Sequence, residues 1–96
     1  MESCNVPPTA ADVIAQYGPK VKGMKSSCGI IVGEISEHAA KRIVDRKITL
    51  SALLGVISNA PIIYPGNTAG RTCQQKDDLR LVLINETGEI RSVVRL

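Results

Sequence analysis

Ninety-six residues, 44% hydrophobic and 22% charged with a mean hydropathy of +0.07, describe one small domain with one core, not two domains and not a disordered tail. The absence of Trp and Phe leaves Tyr17 and Tyr64 as the only aromatic rings, which excludes a platform of several stacked bases. The formal charge is +3, no apolar run reaches the roughly 18 residues of a membrane span, and Met1–Pro8 lacks the basic and apolar regions of a signal peptide.

The charge is unevenly placed. Residues 1–40 carry three lysines against four acids, whereas residues 41–96 carry nine lysines and arginines against five acids, so the C-terminal half holds the whole positive excess. Such asymmetry suits an anionic partner, although a solvated basic face is the plainer reading. Cys4, Cys28 and Cys73 are odd in number and widely spaced, which fits idle or buried thiols in a reducing compartment. A Cys4–Cys28 or Cys28–Cys73 bridge stays open, and a single histidine with no close cysteine pair makes no zinc knuckle.

Thr9-Ala10-Ala11-Asp12 predicts a capped helix over about 9–17, with Val13, Ile14 and Tyr17 on one side and a stop at Gly18-Pro19. Lys20–Ser27 is polar, basic and glycine-containing, and is expected to be a connector free to swing. Ile30-Ile31-Val32 predicts a strand over about 29–35. Ser36 then caps a helix over Glu37–Lys47 with an acid in its first turn and basic residues at its end. Ala39, Ala40, Ile43 and Val44 form its apolar stripe, while His38, Arg42 and Arg46 recur every four residues along another side. Thr49 opens a further helix to Ser58, burying Leu50, Leu53, Leu54 and Ile57 and ending before Pro61. The period then changes to two: Ile62–Tyr64, Arg71–Gln75, Leu79–Ile84 and Ile90–Leu96 predict strands, the last two joined as a hairpin through Asn85–Gly88. The expected fold is α+β, with N-terminal helices packed on one face of a small antiparallel sheet of four or five strands.

Three stretches together point further. The run Ile35-Ser36-Glu37-His38-Ala39-Ala40-Lys41-Arg42-Ile43-Val44-Asp45-Arg46-Lys47-Ile48-Thr49, the helix end Ile57-Ser58-Asn59-Ala60-Pro61, and Leu79–Ile84 followed by Gly88-Glu89-Ile90-Arg91-Ser92-Val93-Val94 resemble the small ribonuclease toxin domains of the barnase, EndoU, colicin D and RelE-like superfamily. These domains occur at the C-termini of bacterial polymorphic toxins, including contact-dependent growth inhibition toxins. The resemblance covers residues 29–96, with residues 1–28 as an N-terminal helix and connector of the same domain. It departs at Ser92, where the pattern usually shows Thr, and at Ala60, which separates Asn59 from Pro61. It implies a metal-independent endoribonuclease that acts on tRNA or another structured RNA and leaves a 2′,3′-cyclic phosphate, with no cofactor. It also implies delivery as part of a larger secreted toxin, action in the target-cell cytoplasm, and a cognate immunity protein.

RNA cleavage without metal needs a group to take the 2′-OH proton, a group to protonate the leaving 5′-oxygen, and cationic donors for the phosphorane. His38 is the only side chain of a type that titrates near neutrality, and a helix start also offers N–H groups to phosphate. Arg42, one turn on, presents a planar fork that a lysine lacks. With Ser92 positioning the phosphate, these form the expected catalytic set. Arg46, Arg71, Thr72 and Lys76 are the expected RNA contacts, forming one basic cleft with His38 and Arg42 against which an acidic immunity protein docks.

Each residue has a plainer alternative. His38 is then a surface histidine, Arg46 a partner of Asp45, Tyr64 a core-edge ring and Ser92 a satisfied sheet hydroxyl. Ser92 and Val94 share one face of the last strand and Arg91, Val93 and Arg95 the other, so Ser92 reaches His38 only if its face escapes apolar cover. The competing function is a non-catalytic basic module binding nucleic acid or a protein partner.

Overall fold

The computed structural model describes residues 6–96. Three helices, α1 (Ala10–Val21), α2 (Glu37–Asp45) and α3 (Leu50–Ser58), precede four strands, β1 (Ile62–Pro65), β2 (Arg71–Lys76), β3 (Leu79–Ile84) and β4 (Ile90–Arg95). The three helix starts share one device. Thr9, Ser36 and Thr49 lie in extended backbone and accept the N–H of Asp12, Ala39 and Ala52 respectively, satisfying a donor that the first turn leaves over. At the far end of α2, Lys47 adopts a left-handed φ of 53° and Ile48 N–H donates to Ile43 O at 3.0 Å, closing the helix where glycine is usual.

Two expectations fail against tertiary packing. Helix α1 does not stop at Gly18-Pro19 but continues through Pro19 to Val21. A proline inside a helix forfeits one hydrogen bond, yet the extra turn puts Val21 in the core with no exposed surface. The strand expected over 29–35 is present only as isolated pairings of Ile31 with Lys25 and of Ile35 with Ile90, because Gly29 and Gly33 break the run. The connector before it is pinned. Ser26 is buried, Ser27 N–H donates to Ile57 O at 2.8 Å, and Ser27 Oγ accepts from Ala60 N–H at 2.8 Å.

The strands form one antiparallel sheet in the order β1-β2-β3-β4. Alternation then sorts its residues. Ile63, Gln74, Leu81 and Val93 lie in register on one face, with Leu79, Leu83 and Ile90, and the helices cover its β2–β4 part while Ile63 stays exposed. Tyr64, Cys73, Val82 and Ser92 lie in register on the other face, which no helix covers, beside Gln75, Arg80 and Val94. In β4 the register slips between the Val82 and Leu83 pairings, leaving Arg91 without a partner. The core joins Val13, Tyr17 and Val21 of α1 to Ala39, Ala40 and Ile43 of α2, to Leu53, Val56 and Ile57 of α3, and to the covered face of the sheet. Helix α1 and the segment after it therefore belong to the same core as the rest.

Segment 33–36 runs parallel to the start of β4. Ile90 N–H donates to Glu34 O at 2.9 Å, and Ser36 N–H donates to Ile90 O at 3.0 Å. Gly88 makes this approach possible, since its φ of 74° is left-handed and a Cβ there would collide with Ile31 O. Buried Gln74 ties the layers together: its Nε2 donates to Val56 O and Ile57 O at 2.9 Å each, and its Oε1 accepts from Cys28 N–H at 2.8 Å. Cys28 and Cys73 are free thiols; the expectation for Cys4 lies outside the described residues.

Candidate nucleic-acid interface

Ser36 sets the position of α2 twice over. Its Oγ accepts from Ala39 N–H at 3.0 Å and donates to Arg91 O at 3.0 Å, so the helix start is fixed both to its own first turn and to β4. With Ala39, Ala40 and Ile43 fully buried, the four-residue row of His38, Arg42 and Arg46 is left at the surface. His38 and Arg46 are exposed and Arg42 is half-buried. Among the described residues, the side chains of His38, Arg42 and Arg46 make no hydrogen bond and no ion pair, so their donors stay available to a ligand. Arg95 closes the far end of the row. Its guanidinium donates from one terminal nitrogen to Arg46 O at 3.0 Å and from the other to Asp78 Oδ2 at 2.7 Å, which engages both ends of its fork within the protein.

The remaining expected site residues do not join this row. Ser92 faces the uncovered side of the sheet, in register with Val82, whereas α2 packs against β4 on the covered side. The sheet therefore lies between Ser92 and His38. Arg71 also belongs to the uncovered face by alternation with Cys73. Thr72 alternates to the opposite face, where its hydroxyl donates to Asn85 Oδ1 at 2.6 Å. Lys76 pairs with Asp77 at 3.3 Å and lies against Gly55 of α3. The single cleft expected from the sequence is thus divided between two sides of the molecule. Tyr64 is half-buried and donates to Gln75 Oε1 at 2.9 Å, as a core-edge tyrosine does.

One residue of the uncovered face was missed altogether. Arg80 looks like an ordinary polar position between Leu79 and Leu81, but it is half-buried and its Nε has no hydrogen-bond partner and no contact with water. A buried donor left unpaired costs about 1–3 kcal/mol. It lines a groove of about 230 Å³ with Arg71, the loop residues Asn67 and Thr68, and an apolar floor of Cys73, Val82 and Val94. The signal for it was the apolar character of its own face, where Val82, Ile84 and Val94 are too hydrophobic for a fully solvated surface.

Among the described residues there is no cluster of three or more His, Cys, Asp or Glu side chains able to hold a metal ion, and no helix is long and apolar enough to cross a membrane. Comparison with known proteins finds no matching family model, no matching curated relative and no matching solved structure, so the site stands on its own geometry.

Proposed function

We propose that this domain is a toxin-type ribonuclease that cleaves tRNA or another structured RNA by metal-independent transesterification. The observation that carries the reading is the pairing of His38 and Arg42 one turn apart on a capped helix, both without protein partners and both reachable by a polyanion. In this reading, His38 takes the proton from the ribose 2′-OH as its oxygen attacks phosphorus. Arg42 forks onto the non-bridging oxygens of the phosphorane, Arg46 holds a neighbouring phosphate, and the P–O5′ bond breaks to leave a 2′,3′-cyclic phosphate. The leaving oxygen takes its proton from water. Ser92 has no part in this step, because the sheet stands between it and His38. An acidic immunity protein fits the α2 row, its carboxylates taking the place of phosphates.

The non-catalytic basic module is the second reading. The observation favouring it is that His38 has no second acid–base side chain bonded to it. Incubation with total tRNA in EDTA separates the two. Discrete fragments bearing 2′,3′-cyclic ends are expected, with a loss of about a hundredfold or more in His38→Ala, the usual share of general acid–base catalysis. Full activity in the purified variant removes His38 from the site, and intact RNA with the wild type selects the binding module.

A further inference from the structure

We propose that the groove on the uncovered face of the sheet is a phosphate-binding subsite, in which Arg71 and Arg80 hold one phosphate group above the floor of Cys73, Val82 and Val94. Three observations converge. Two arginines from neighbouring strands line one groove, and neither has an ion pair among the described residues. The Arg80 Nε–H has no acceptor and no surface open to water, and a small turn of the guanidinium toward the groove would give this donor an oxyanion as its charge-assisted partner. No carboxylate lines the groove. Glu86 shares a neighbouring depression with Arg71 but makes no ion pair with it, while Asp77 and Asp78 are engaged by Lys76 and Arg95.

The size selects what enters. About 230 Å³ is below the roughly 300–1,000 Å³ of pockets that enclose a whole small molecule, so the groove takes one anionic group of something larger. Asn67 and Thr68 add neutral side chains at its rim, able to hydrogen-bond oxygens that the guanidinium groups leave over. The apolar floor keeps the local dielectric low, which strengthens the guanidinium–phosphate contact relative to one on open surface. The subsite lies across the sheet from the α2 row and does not depend on His38 or on cleavage.

The test is titration of the whole domain with inorganic phosphate, followed by the NMR signal of the Arg80 Nε–H and the backbone amides of Cys73 and Val82. A saturable shift of all three is expected, with binding weakened at least tenfold in Arg80→Lys, which keeps the stem and charge and loses the fork. Arg71→Lys gives a second reading if the first variant is poorly folded. No saturable shift, an equal response to acetate, or undiminished phosphate binding in both variants overturns the proposal. Repeating the titration with a nucleoside monophosphate and with a short oligodeoxynucleotide names the source: tighter binding of the oligonucleotide assigns the phosphate to a nucleic-acid strand, tighter binding of the monophosphate to a free nucleotide. A domain that binds phosphate here and cuts no RNA refutes the ribonuclease reading alone.

Discussion

Replacing Gln74 by leucine should be among the most damaging single changes in this domain, although it exchanges one side chain for another of similar size. Gln74 has no exposed surface and makes three hydrogen bonds, to Val56 O, Ile57 O and Cys28 N–H. Ile57 O keeps Ser27 as a donor after the substitution, but Val56 O and Cys28 N–H lose the partner that Gln74 gave them. Two stranded groups at about 1–3 kcal/mol each, offset in part by leucine's greater apolar burial, give a net loss of about 2–4 kcal/mol. A chain of this length has a total stability of roughly 5–14 kcal/mol, so the loss takes a large share of it. Urea denaturation should show a lower midpoint at unchanged slope, and Tm should fall by about 10–25 °C. The amide of Cys28 should also lose protection from hydrogen exchange. A loss below about 1 kcal/mol would show that water or rearrangement satisfies those groups and that Gln74 does not tie the layers.

Other substitutions probe other parts. Arg42→Lys should lower the rate of RNA cleavage more than RNA affinity, whereas Arg46→Ala should weaken binding and make the slope of log affinity against log salt shallower by about 0.7; equal behaviour of the two removes the division of labour between them. Gly88→Ala should cost about 3 kcal/mol or more, read by thermal melting, since the new Cβ meets both a left-handed φ and the Ile31 carbonyl. Burial raises the Tyr17 phenol above its ordinary value, against a smaller opposing pull from a hydrogen bond with the Leu50 backbone. Its stabilising contribution is therefore whole below pH about 10 and declines as pH rises through the folded value, so the stability difference between wild type and Tyr17→Phe, measured in urea from pH 8 to 11.5, should shrink above pH about 10.

Much of the fold was legible because local chemistry and tertiary need agree. Ser36 and Thr49 are good caps followed by apolar stripes, and the structure starts α2 and α3 directly after them. Leu79–Ile84 alternates cleanly and is β3. Where the two disagree, the sequence misleads. Pro19 is a local stop signal overruled by the burial of Val21, and Ile30-Ile31-Val32 has strand propensity but glycines on both sides. β2 was hard to see because its covered face reads Thr72, Gln74, Lys76, and Gln74 is buried only because three backbone groups from other segments converge on it. The row on α2 was visible, since a four-residue spacing is a property of the helix itself. Which side of the sheet Ser92 and Arg71 face relative to that row depends on register and on helix placement, which no single stretch of sequence encodes.

The pair of hydrogen bonds made by the Ser36 hydroxyl also has a kinetic side. The cap of α2 belongs to a helix that forms locally, yet the same hydroxyl donates to Arg91 O across a separation of 55 residues. The helix start and β4 therefore reach their final geometry together, and closing a loop of that length is an entropic cost paid before the contact returns anything. The folding rate of this small domain is accordingly expected to follow that long-range closure and not the rapid nucleation of its helices. Improving the helix propensity of α2 should then leave the folding rate nearly unchanged and mainly slow unfolding.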